Sequence, residues 1–212
     1  GHKAVTDLFQ NSVLVEEKID GSQFSFGVFE SEDGPYIRCR SKGAQLNMVA
    51  PEGMFIKAID TVKGLKDRLK VGWTYRAEYL SKPKHNSLCY DRTPKNHLII
   101  FDINPAEETY LSYEEKVIEA ERLGLEIVPL VFEGMVSDVN VFRGFLDRES
   151  CLGGQKIEGV VVKNYVRFGQ DKKVLLGKFV SEAFKEVHKK EWKASNPSAG
   201  DIIQNFIDEY KS

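Results

Sequence analysis

The stretch that most constrains this chain runs from Val13 to Phe29. Val13, Leu14 and Val15 lead into Glu16, Glu17 and Lys18. Ile19, Asp20 and Gly21 follow, and then Phe24, Phe26 and Val28 alternate with Ser25 and Gly27. A β-branched apolar run followed by an alternating aromatic run reads as two strands, the second buried on one face. Lys18 therefore sits at or near a strand end, and Gly21 where backbone passes close to a neighbour. A desolvated lysine, or one beside other cations, has a depressed pKa and can act as a nucleophile at neutral pH. Asp20, on the same side of an extended chain, is placed to orient that amine or hold a hydrated metal ion. A solvated ion pair in a tight turn would use the same four residues, so their companions decide.

Beyond this pair, Ser31–Gly34 reads as a turn and Tyr36–Arg40 as the returning strand. Met54, Phe55, Ala58, Ile59, Val62, Leu65 and Leu69 recur at helical spacing and predict a helix ending near Gly72. Trp73–Leu80 and His97–Ile103 read as strands. Ser112 with Glu115 three positions later is a capping box, opening a helix that Gly124 stops after Leu123. Glu126–Val131 reads as a strand and Asp138–Arg148 as a helix. Ile157–Asn164 and Lys173–Val180 form a second antiparallel pair through Arg167, Phe168 and Gly169, and a helical pattern runs from Ser181 onward. Sheets joined by hairpins and mixed with helices imply an α+β fold.

With 42% hydrophobic and 29% charged residues, the composition is that of a soluble globular domain. No apolar run is long enough to span a bilayer. Cys39, Cys89 and Cys151 lie far apart and support neither a zinc site nor a disulfide framework, which fits a cytoplasmic setting. The net charge of −2 argues against indiscriminate polyanion binding. Locally, however, Lys82, Lys84, His85, Arg92, Lys95 and His97 cluster around Tyr90, which suits a phosphate-bearing partner such as nucleic acid. A solvated loop explains the same cluster equally well.

Further charges stand in strand contexts: Arg40 ending the second strand, Glu78 after Tyr75-Arg76-Ala77, Glu158 opening Gly159-Val160-Val161-Val162-Lys163, and Lys178 inside Leu176-Gly177-Lys178-Phe179. Charges threaded into apolar strands are costly unless paired or metal-bound, so together they point to one polar site.

In order, Lys18-Ile19-Asp20-Gly21, Arg40, Arg76-Ala77-Glu78-Tyr79, Phe101-Asp102-Ile103, Glu158 to Lys163 and Lys178 resemble the motifs of the covalent nucleotidyltransferases: DNA ligases, RNA ligases and mRNA capping enzymes. The resemblance runs from residue 13 to about 180 and implies an ATP-grasp-like nucleotidyltransferase domain, two antiparallel sheets flanked by helices around a nucleotide cleft. It implies Lys18 as the nucleophile that takes AMP from ATP, with Asp20, Glu158 and Lys178 as its catalytic company. Glu17, Gly21, Arg40, Glu78, Phe101, Lys163 and Lys178 would bind the nucleotide, Phe101 by stacking on the base and Glu17 by reading the adenine edge. Glu158 and Glu78 would hold Mg²⁺ or Mn²⁺. Lys82, Lys84, His85, Arg92 and Lys95 would contact nucleic acid.

The glutamate at 158 and the 82–90 segment are similar to RNA ligases of the phage RNA ligase 2 type. The predicted domains are 3–180, the nucleotidyltransferase, and 181–212, a helical extension in place of an OB-fold. This predicts a monomer that joins RNA ends bearing a 5′-phosphate and a 3′-hydroxyl. One departure is Leu176, where many ligases carry a second lysine; Lys163 or Lys173 would compensate. Two rivals stand beside this reading: the core of a DNA ligase, and a nucleic-acid-binding module without catalysis.

Overall fold

The computed structural model describes residues 8–51, 53–138, 140–168 and 174–181. The strands are β1 (Val13–Lys18), β2 (Ser22–Ser31), β3 (Gly34–Ser41), β4 (Ala44–Gln45), β5 (Thr74–Tyr79), β6 (Leu98–Asn104), β7 (Glu126–Ile127), β8 (Leu130–Gly134), β9 (Gly159–Phe168) and β10 (Val174–Val180). The helices are α1 (Ile56–Leu65), α2 (Tyr113–Leu123) and α3 (Val141–Phe145). They fall into two compact units. Among the described residues, one comprises those up to Asp20, Ser87–Tyr90 and those from Pro129; the other comprises those of Gly21–Asn86 and Asp91–Val128.

The first unit is built on a four-stranded antiparallel sheet in the order β10-β9-β1-β8. The apolar run of β1 makes it an interior strand, bonded on both sides. Val13 and Val15 bury one face of it with Leu8, Val160, Val162, Phe142 and Phe179, and the Phe142 and Phe179 rings stack with centroids 4.3 Å apart. Alternation turns Leu14, Glu16 and Lys18 to the opposite face. The helix expected over Asp138–Arg148 shrinks to α3. Asn140 makes no side-chain cap there, and Asp138 Oδ1 instead accepts the Asn140 amide in a local turn.

The second unit holds a six-stranded sheet in the order β4-β3-β2-β5-β6-β7, antiparallel except for the β6–β7 pair. The alternating aromatics of β2 face inward as expected. Phe24 and Phe26 pack with Phe55, Tyr75 and Tyr79 against Ala58, Ile59, Val62 and Leu65 of α1 and its flanks. Each such ring buried contributes about 1.5–3 kcal/mol. The capping box holds α2: the Glu115 amide donates to Ser112 Oγ and the Ser112 amide to the Glu115 carboxylate. Gly124 closes the helix in the left-handed region, at φ 71°.

The single strand expected over Glu126–Val131 is two strands in different sheets. Glu126–Ile127 pairs with β6, whereas Leu130–Gly134 pairs with β1. Pro129, which has no amide proton, stands at the break. No helix among the described residues is long and apolar enough to cross a membrane. The helices expected from Ser181 lie outside the described residues beyond Ser181 itself, as do Gly169 and Lys173.

Candidate functional site

Register assembles the Lys18 site in the first unit. Across β1 and β9, Lys18 pairs with Gly159, Glu16 with Val161 and Leu14 with Lys163. Across β9 and β10, Lys178 pairs with Val161. Residues paired across strands share a face, so Lys18, Glu16, Lys163 and Lys178 all lie on the side away from the apolar core. Lys18 Nζ donates to Glu158 Oε1 at 2.5 Å, with 15% of the lysine side chain exposed but only 2% of the glutamate. Burial pushes the Glu158 carboxyl above the usual range, Asp20 adds to that, and Lys18 and Lys178 pull it back. Gly159 permits this arrangement, because a Cβ there would lie 2.0 Å from the Phe179 carbonyl oxygen.

The face also carries a pair that the sequence reading did not foresee. Lys163, expected at the nucleotide, forms an ion pair with Glu16, and both side chains are 1% exposed. Glu16 stands two residues before Lys18, so strand alternation alone placed its carboxylate on the same face.

Asp20 and Glu17 are employed differently from expectation. Asp20 Oδ2 does not turn to the amine: it accepts the backbone amides of Ser87 at 2.8 Å and Leu88 at 2.6 Å, while the Asp20 amide donates to Tyr90 Oη at 2.9 Å. Glu17 lies on the apolar side of β1, where its carboxylate accepts from Ser150 Oγ at 2.6 Å and the Cys151 amide at 3.0 Å. Burial still raises its pKa above the ordinary value, against those hydrogen bonds. Both carboxylates thus tie loops to the strand that carries Lys18.

In the second unit, Ser25 pairs with Arg40 and Arg76, and Gln23 with Glu78. These residues share the sheet face opposite the aromatic core. Arg40 is exposed and Glu78 half-buried. Gly21 packs on the same strand: a Cβ there would meet the Tyr79 carbonyl oxygen at 2.7 Å and Glu78 Oε2 at 3.3 Å. Phe101 is the extra residue of a bulge, since Arg76 pairs with Asp102 and Ala77 with Ile100. Its carbonyl accepts from the buried Lys116 ammonium at 3.1 Å.

The basic segment separates by role. Lys82, Lys84 and Lys95 are exposed. His85 folds inward, its Nδ1 accepting the Ser81 amide at 3.1 Å and its Nε2 meeting Ser22 Oγ at 2.8 Å. Arg92 donates twice to Glu126, at 2.9 and 2.8 Å. His85 and Arg92, both expected at nucleic acid, therefore brace the protein itself.

Among the described residues no three His, Cys, Asp or Glu side chains converge as a ready metal cage. Glu158 Oε2 is nonetheless buried without a hydrogen-bond partner among them. One such oxygen suits a hard, largely hydrated divalent ion, which needs only one or two carboxylates. The donor set therefore fits Mg²⁺ or Mn²⁺ better than zinc.

The RNA ligase family profile matches residues 11–180, which includes every strand described here. A solved structure of Naegleria gruberi RNA ligase with pyrophosphate superposes with a TM-score of 0.64 at 20% identity, covering 89% of this chain and 55% of that one. A variant of the same enzyme with ATP and Mn gives 0.60 at 18%, covering 88% and 54%. Another with AMP and Mn gives 0.59 at 19%, covering 88% and 55%. This chain thus spans little more than half the length of these solved chains and shares their nucleotidyltransferase fold. No curated protein matched in sequence. From the profile match over most of its length, the chain belongs to the RNA ligase family.

Proposed function

We propose that this chain is the nucleotidyltransferase domain, over residues 3–180, of an ATP-dependent RNA ligase. The observation that carries the reading is the Lys18 amine on an interior strand, 2.5 Å from the buried Glu158 carboxylate, with Lys178 on the same sheet face. Lys18 Nζ attacks the α-phosphorus of ATP, a phosphoramidate bond forms and pyrophosphate leaves. An RNA 5′-phosphate oxygen then takes the AMP and frees Lys18. Finally a 3′-hydroxyl attacks that activated phosphate and AMP leaves, giving the phosphodiester.

Lys178 offsets charge on the phosphate oxygens. Arg40 and Glu78 hold the ribose and phosphate region, and Phe101 stacks on the base. Mg²⁺ or Mn²⁺, held through Glu158, would neutralise developing phosphate charge. The ATP, AMP, pyrophosphate and Mn of the solved Naegleria structures support this assignment. The RNA ends would meet Lys82, Lys84 and Lys95. We place the protein in the cytoplasm as a monomer.

The test is intact mass after incubation with ATP and Mg²⁺, with GTP as control. The wild type should gain one AMP with ATP only, and Lys18→Ala should gain none while keeping its circular dichroism. Labelling of Lys18→Ala would sink the nucleophile assignment, and no adduct on the wild type, before or after ATP, would favour a binding module.

A further inference from the structure

The residues around Tyr90 have a duty that the reaction scheme does not absorb. Ser87–Tyr90 packs with the Lys18 unit, although the residues on either side of it in sequence pack with the other. Within that unit it is held at several points. Asp20 Oδ2 takes the Ser87 and Leu88 amides, Tyr90 Oη takes the Asp20 amide, and the Cys89 carbonyl accepts from Gln155 Nε2 at 2.7 Å. Asp20 is 3% exposed and Tyr90 is 3% exposed.

β1 ends at Lys18, so no ladder partner awaits the Asp20 amide. Without the Tyr90 hydroxyl that amide would be buried and unpaired, which protein backbones avoid. Burial raises the phenol pKa far above its ordinary value, and the Glu158, Asp20 and Glu17 carboxylates push the same way. The ring therefore stays neutral and can serve as a fixed polar anchor at any working pH.

We propose that Tyr90 is a positioning residue for Lys18: its hydroxyl fixes the backbone two residues beyond the nucleophile and so aims the amine. The proposal rests on the lysyl-AMP reading above. Placement matters because a misplacement of about 1 Å at a reacting group costs on the order of 100-fold in rate. Tyr90 acts through the Asp20 peptide, not on substrate.

The variant is Tyr90→Phe, which keeps the ring and removes only the anchor. Two quantities are read on the same samples: single-turnover lysyl-AMP formation across ATP concentrations, and amide exchange of the Lys18–Gly21 stretch in the free protein. The maximal rate should fall about tenfold, or 1.4 kcal/mol, with the half-saturating ATP concentration unchanged within about twofold. Exchange of the stretch should quicken by a similar factor. An unchanged maximal rate, or a change only in ATP dependence, overturns the proposal. So does unchanged exchange, which reads positioning even if the wild type forms no adduct and the ligase reading itself fails. Should Tyr90→Phe not fold, Gln155→Ala loosens the same segment from its exposed side. A lower maximal rate with faster exchange there supports the proposal, and wild-type values in both overturn it.

Discussion

The Lys18 face of the four-stranded sheet and the 82–97 segment both concentrate charge, and they do so by opposite means. On the sheet, Lys18, Glu16, Lys163 and Lys178 meet because pairing leaves their side chains no other face. Their spacing belongs to the backbone. In the segment, neighbouring basic residues take unrelated tasks: His85 braces Ser81 and Ser22, Arg92 grips Glu126, and Lys82 and Lys84 remain exposed. Charge in a strand reports a site through register, while charge in a loop reports nothing until its hydrogen bonds are known.

The strongest way to break this contrast is the Glu16–Lys163 pair. Lys163→Met leaves a buried carboxylate without its cation and should cost about 3–5 kcal/mol in urea denaturation. Adding Glu16→Leu should recover most of that loss, since an apolar pair of similar volume is often neutral. If the single variant stays as stable as wild type, the pair does not hold the sheet and Lys163 is available to the nucleotide.

A smaller effect separates the basic residues. The double variant Lys82→Ala with Lys84→Ala should weaken RNA binding and reduce the slope of log affinity against log salt by about one to two, one phosphate contact each. Arg92→Ala should leave that slope alone and lower stability instead. Equal slopes for all three would dissolve the distinction between outward and inward charge.

The smallest effect sharpens the loop side. Hydrogen bonds from Arg92, then the Lys95 amide, hold the Glu126 carboxyl below its ordinary 4.5. A depressed folded pKa contributes stability above the unfolded value and loses it as pH falls through the folded one. Glu126→Gln should therefore cost about 0.5–1 kcal/mol at pH 7, allowing for surface screening. The gap to wild type should close below pH 4.5, read as Tm against pH. A constant gap would mean the carboxylate charge does not matter.

What the sequence made legible follows the same division. Lys18, Glu158 and Lys178 could be singled out because apolar, alternating neighbours marked them as strand residues. Phe24 and Phe26, and the Ser112–Glu115 cap, were equally plain because their partners are local or periodic. Asp20 and Glu17 were not, because their carboxylates answer to partners 67 and 133 residues away. Tyr90 passed as one aromatic in a basic loop, since nothing local ties it to Asp20. The strand break at Pro129 was hidden by an apolar run, although the missing amide could have exposed it.

The central position of β1 has a bearing on heat. Strand termini and edge strands open by local fluctuation at little free-energy cost, whereas an interior strand exchanges its amides only when its neighbours part. Lys18, however, is the last residue of β1 and pairs with β9 alone, since the β8 ladder stops at Glu16. Its aim can therefore fray ahead of the sheet, so warming should diminish lysyl-AMP formation before the circular dichroism of the fold is lost.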